Sequence, residues 1–120
     1  MNGFIFQTLR DETQLIVLQG ASASTEVKVP FDVSNHSARF IIAEYYKGKE
    51  LLVLELGSGI NFESTSESES VISIEATAEQ TLKLDDNLLG KYEFTLTSEI
   101  GETVRVVWGP VKVWPRVARR

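Results

Sequence analysis

Cysteine is missing from this chain of 120 residues, histidine occurs once and proline three times. Without cysteine there are no disulfides, thiolate zinc sites or cysteine nucleophiles. A small secreted disulfide scaffold is argued against on the same ground. No apolar run exceeds four residues, as in Leu15–Leu18 and Leu51–Leu54. That falls far short of the roughly 20 that a membrane-crossing helix needs. Met1 to Gln7 lacks the basic start and long apolar run of a secretory signal, so a soluble cytoplasmic product, or one exported by a route without such a signal, is expected. An excess of positive charge is also lacking. The formal net charge is -5, which disfavours a nucleic-acid binder, since phosphate recognition needs basic surface.

What is present is an ordinary globular composition, 42% hydrophobic and 24% charged, at the usual length of one domain. One domain over residues 1–120 is the expectation. The dominant period of the apolar residues is two, the strand period. Ala38, Phe40 and Ile42 share one face and Arg39, Ile41 and Ala43 the other. Ile72, Ile74 and Ala76 alternate with polar residues, as do Tyr92, Phe94 and Leu96. Val104, Val106 and Trp108 fall in one phase, which predicts a core position for Trp108. Trp114 is out of phase with Val111 and Val113 and is expected outside. Turns are expected at Lys47-Gly48-Lys49, Gly57-Ser58-Gly59, Ile100-Gly101-Glu102 and Gly109-Pro110. Within residues 1–35, where the pattern is less regular, strands are expected over 4–9, 13–18 and 26–33. Strands recurring about every ten residues with such turns predict an antiparallel β-sandwich or barrel. Its edge strands offer a route to homo-oligomers.

One segment leaves the strand pattern. Thr77 followed by Gln80 is a capping-box signature, predicting a short helix near residues 77–84. Residues 63–70 are Ser and Glu with one Thr, and predict a flexible acidic loop. Residues 115–120 form a basic tail carrying Arg116, Arg119 and Arg120. The exposed Trp114 with these arginines is the candidate partner-docking element.

Catalytic signatures are weak. His36 and Asp32 sit four residues apart on one loop, whereas triad members must converge from separate elements. Glu63, Glu67 and Glu69 lack the Asp and Gly of a calcium loop. Asp85-Asp86-Asn87 reads as a turn. Gly57-Ser58-Gly59 lacks the lysine and helix of a phosphate loop. No catalytic residue, metal ligand or cofactor is expected, and the chain reads as a binding or structural module. Gly90 before Tyr92 fits the tyrosine corner of immunoglobulin-like sandwiches, with the hydroxyl bonding backbone near residues 84–87.

The ordered set from Ala38 to Arg119 resembles small immunoglobulin-like β-sandwich domains of tailed-phage and prophage structural proteins, alone or at the N-terminus of baseplate and tail-fibre proteins. The set includes Ala38-Arg39-Phe40-Ile41-Ile42, Gly90-Lys91-Tyr92-Glu93-Phe94 and Gly101-Glu102-Thr103-Val104-Arg105-Val106-Val107-Trp108-Gly109. It ends on Val113-Trp114-Pro115-Arg116-Val117-Ala118-Arg119, where Ala118 stands for the family's usual Thr. The resemblance implies a non-enzymatic virion protein, assembled in the host cytoplasm, that acts as an adaptor, fibre-attachment or decoration module. Its partners would be other virion proteins, with no nucleic acid and no membrane. The alternative is a glycan-binding sandwich of a host-recognition apparatus, with Trp114, Tyr45 or Tyr46 stacking on sugar rings.

Overall fold

The computed structural model describes residues 2–8, 10–46, 48–85 and 88–115. The strands are β1 (Phe4–Thr8), β2 (Thr13–Leu18), β3 (Ala23–Val29), β4 (Ser37–Glu44) and β5 (Glu50–Leu56). They continue with β6 (Gly59–Ser64), β7 (Ser70–Ala76), β8 (Gly90–Thr97) and β9 (Thr103–Trp114), and helix α1 (Ala78–Leu82) follows β7. Hydrogen-bonded order is β1-β2-β9-β8-β4-β5-β6-β7-β3. Strands β3, β7 and β6 follow the B-E-D order of an immunoglobulin sandwich. Strands β9, β8, β4 and β5 follow the G-F-C-C′ order of its other sheet. The fold is therefore the expected immunoglobulin-like sandwich, antiparallel except that β2 runs parallel to β9 and β5 meets β6 in a short parallel pairing.

The sheet's two ends approach each other. The Gly3 amide donates to the Ser22 carbonyl at 2.8 Å, and the Asn2 side chain exchanges hydrogen bonds with the Ser24 backbone. The inward faces of the strands meet in one core that includes Phe40, Ile42, Leu54, Ile72, Phe94 and Val113. Burying side chains of this size stabilises by about 1.5–3 kcal/mol each relative to leaving them in water. β1 adds Phe4 and Phe6, whose rings pack 5.7 Å from Phe40 and 5.8 Å from Tyr92 respectively.

The capping box forms as expected. Gln80 N–H donates to Thr77 Oγ1 at 3.1 Å, and Thr77 N–H donates to Gln80 Oε1 at 2.8 Å. Thr81, fully buried, ties this helix to the turn before β3, donating to the Ala21 carbonyl and accepting from Gly20 N–H.

Several expectations need correction. The acidic segment 63–70 is not all loop: Glu63 and Ser64 belong to β6 and Ser70 begins β7. Ser70 is fully buried, donating to the Phe31 carbonyl at 2.7 Å and accepting from Val33 N–H at 3.2 Å. A serine with backbone partners to satisfy its hydroxyl tolerates burial, which composition alone does not reveal. β3 starts and ends earlier than expected, because its register is set by pairing with β7. Gly109-Pro110 does not interrupt β9. β2 pairs with β9 only from Val111 onward, so the proline, which has no amide hydrogen to donate, lies just before that ladder begins.

Tyr92 is not a tyrosine corner. It points into the sandwich, buried, and its hydroxyl donates to the Thr13 carbonyl at 2.8 Å instead of to residues 84–87. Gly109 lies opposite it on β9, and any side chain there would collide with that same carbonyl. Gly90 opens β8, also buried and close against Leu88. Lys47 of the β4–β5 turn, Asp86 and Asn87, and Arg116, Arg119 and Arg120 of the basic tail lie outside the described residues.

Candidate binding face

Trp108 is not in the core, and β9 shows why. Phe94 pairs with Val107 while the next residue of β8, Thr95, pairs with Arg105. Val106 is therefore an extra residue, a bulge that shifts the alternation by one. Beyond it, Val107, Gly109, Val111 and Val113 face the interior, and Trp108, Pro110, Lys112 and Trp114 face out. Trp108 is 47% exposed and Trp114 45%. Before the bulge, Arg105 faces out as well. Two outward residues three apart now stand in adjacent rows, and the Arg105 guanidinium carbon lies 4.3 Å from the Trp108 ring centroid.

The registers assemble the outer face of this sheet row by row. Ile41 of β4 pairs with Val53 and with Glu93, and Glu93 pairs with Trp108. One row over, Ala43 pairs with Glu50 and Lys91, and Lys91 with Pro110. On the other side Arg39 pairs with Glu55 and Thr95, and Thr95 with Arg105. Arg39 makes ion pairs with Glu50 at 3.1 Å and Glu55 at 3.6 Å, and Arg105 with Glu93 at 3.8 Å. All are exposed, so each is worth about 0–1 kcal/mol. Their value is to orient the side chains around an apolar strip.

Ala43 is the short side chain in its row. It leaves a depression of about 470 Å³ between Tyr45 at the end of β4 and Trp108 on β9. Tyr45 is 56% exposed and meets Tyr46 edge to face at 5.2 Å. Glu12, from the β1–β2 turn, closes one side. Tyr92 lies beneath. Burial first, and the Glu12 carboxylate second, push its hydroxyl pKa from 10.0 up to about 12.

The other residues singled out in the sequence do not converge. His36 packs against Phe31 with ring centroids 5.8 Å apart, and its buried Nδ1 has no hydrogen-bond partner among the described residues. Asp32 accepts the Ser34 amide at 2.9 Å, and this bond chiefly holds its carboxyl below the usual range. Glu63 accepts a hydrogen bond from Ser73 at 2.8 Å. Among the described residues no three His, Cys, Asp or Glu side chains are grouped to hold a metal ion. Trp114 sits at the far end of β9, paired with Leu18 of β2. Sequence reasoning missed the Arg105–Trp108 pair. The adjacent valines Val106-Val107, which break the alternation just before Gly109, were the available signal.

No protein-family model matches the chain, and no curated protein matches it in sequence. Solved structures with a similar shape exist. One is a strand-swapped dimer of the immunoglobulin-like domain of mouse leukocyte-associated immunoglobulin-like receptor 1. It is 14% identical over 90% of this chain and 95% of that chain, with a TM-score of 0.49. The first immunoglobulin domain of mouse SynCAM 2 is 16% identical over 96% of this chain and 98% of that chain, TM-score 0.38. A structure of VGSC beta subunits is 12% identical over 91% of this chain and 95% of that chain, TM-score 0.41.

Proposed function

We propose that the chain is a non-enzymatic structural protein of a tailed-phage particle, acting as an adaptor, fibre-attachment or decoration module through protein contacts. The resemblance over residues 38–119 supports the particle, and the shape of β9 supports the mode of contact. From Thr103 to Val107, β9 pairs with β8 on one side, and among the described residues no strand pairs with its other side. An open edge of this kind, rich in β-branched residues, presents unpaired amides and carbonyls to a strand from a partner. Val104 on that edge and Ile100 at the neighbouring turn are exposed hydrophobics that a partner would cover. The edge is the observation that carries the contact role.

Mass spectrometry of purified particles from the source phage or an induced prophage tests the reading. The chain is expected at a copy number that is a multiple of the particle's symmetry, few copies for a tail or baseplate and hundreds for head decoration. A Val104→Lys, Ile100→Lys double variant, folded by circular dichroism, is expected to be depleted from particles. Abundance in infected cells with absence from particles overturns the reading.

A further inference from the structure

We infer that the depression between Tyr45 and Trp108 is a binding site for a neutral oligosaccharide of pyranose sugars. This goes beyond the contact role and does not depend on it. Three features of the site lead to that class of ligand. The first is a pair of half-exposed aromatic side chains flanking an apolar floor made by Ile41 and Ala43. Pyranose rings carry faces of C–H bonds that lie against aromatic rings, whereas their hydroxyls point outward around the rim.

The second feature is the balance of the rim. Glu12, Glu50 and Glu93 supply acceptors, and Lys91 and Arg105 supply donors. Carboxylates only accept and ammonium and guanidinium groups only donate, so the set answers a ligand whose every hydroxyl does both. Among the described lining residues the three carboxylates and two cations nearly cancel. A strongly anionic chain such as a nucleic acid would meet the three carboxylates unfavourably, and a polycation would meet Lys91 and Arg105. A neutral polyol meets neither penalty.

The third feature is pre-organisation. Arg105 is held between Trp108, at 4.3 Å, and Glu93, at 3.8 Å. Tyr45 is braced by Tyr46, and the floor residues belong to the central strand β4. Side chains already ordered lose less entropy when a ligand arrives. Trp114, at the far end of β9, does not line this depression, so the site differs from a docking element centred on that residue.

The test uses the whole chain and four neutral probes: maltohexaose, cellohexaose, xylohexaose and chitohexaose. Isothermal titration calorimetry on the unaltered protein reads binding. Fluorescence of a Trp114→Phe variant reads the site, because Trp108 is then the sole indole. At least one probe is expected to bind saturably below about 10 mM and to change Trp108 emission. Trp108→Ala and Tyr45→Ala are each expected to weaken binding about tenfold or more, with Tyr46→Ala weakening it less. Melting curves check that these surface variants stay folded. Binding that neither substitution weakens overturns the site while leaving glycan recognition elsewhere on the chain. The absence of both heat and a change in Trp108 emission with all four probes overturns the inference and leaves the particle reading untouched.

Discussion

Arg105 stacks its guanidinium on Trp108, carbon to ring centroid 4.3 Å, although an odd spacing along a regular strand would put the two on opposite faces. The bulge at Val106 removes that separation. A cation over an exposed indole contributes about 0.5–1 kcal/mol. In the Trp114→Phe background, Arg105→Ala is expected to increase acrylamide quenching of Trp108 while changing unfolding free energy by less than about 1 kcal/mol. Unchanged quenching would show that the guanidinium does not cover the ring in solution.

Tyr92 reaches past Gly109 of β9 to Thr13, joining β8 to the start of β2. Tyr92→Phe keeps the packing but leaves the Thr13 carbonyl without this donor, an expected loss of about 1–2 kcal/mol in urea unfolding. The same residue sets an alkaline limit. Its folded pKa, about 12, lies above the 10.0 of an unperturbed tyrosine. The stabilisation is complete below pH 10.0, where both states hold the proton. Between there and about 12 the unfolded chain loses its proton first, so stability falls as pH rises. Unfolding curves across that window should show a decline for the wild type that is shallower for Tyr92→Phe.

Gly109 permits this contact. A Cβ there meets the Thr13 carbonyl oxygen and presses on the Tyr92 ring. Neither backbone nor buried ring yields cheaply, so Gly109→Ala is expected to destabilise by about 1–3 kcal/mol. A neutral result in thermal unfolding would mean the β1–β2 turn moves away freely.

Two hydroxyls separate buried from exposed polar roles. Ser70→Ala removes a donor and an acceptor in the interior, between β7 and the loop after β3, and is expected to cost about 1–3 kcal/mol. Thr77→Ala removes an exposed helix cap, with an expected cost of about 1 kcal/mol. Chemical denaturation of the two variants side by side tests the order.

The inward faces of β4, β7 and β8 were legible because alternation depends on local geometry alone. Ala38, Phe40 and Ile42 are buried, as are Tyr92, Phe94 and Leu96. The cap at Thr77 was legible for the same reason: its partners lie within one turn. The Ser/Glu segment misled because Ser70 is buried by partners nearly forty residues away in sequence, on Phe31 and Val33.

By itself the sequence determined the strand period, most turns and the short helix, since each is decided by neighbours along the chain. The tertiary structure decided the phase of β9, the partner of Tyr92 and the face on which Trp108 stands. Those depend on which residue of β8 lies opposite which residue of β9. One extra residue in that pairing turns the rest of the strand over, and a pairing between strands is a relationship that no single stretch of sequence contains.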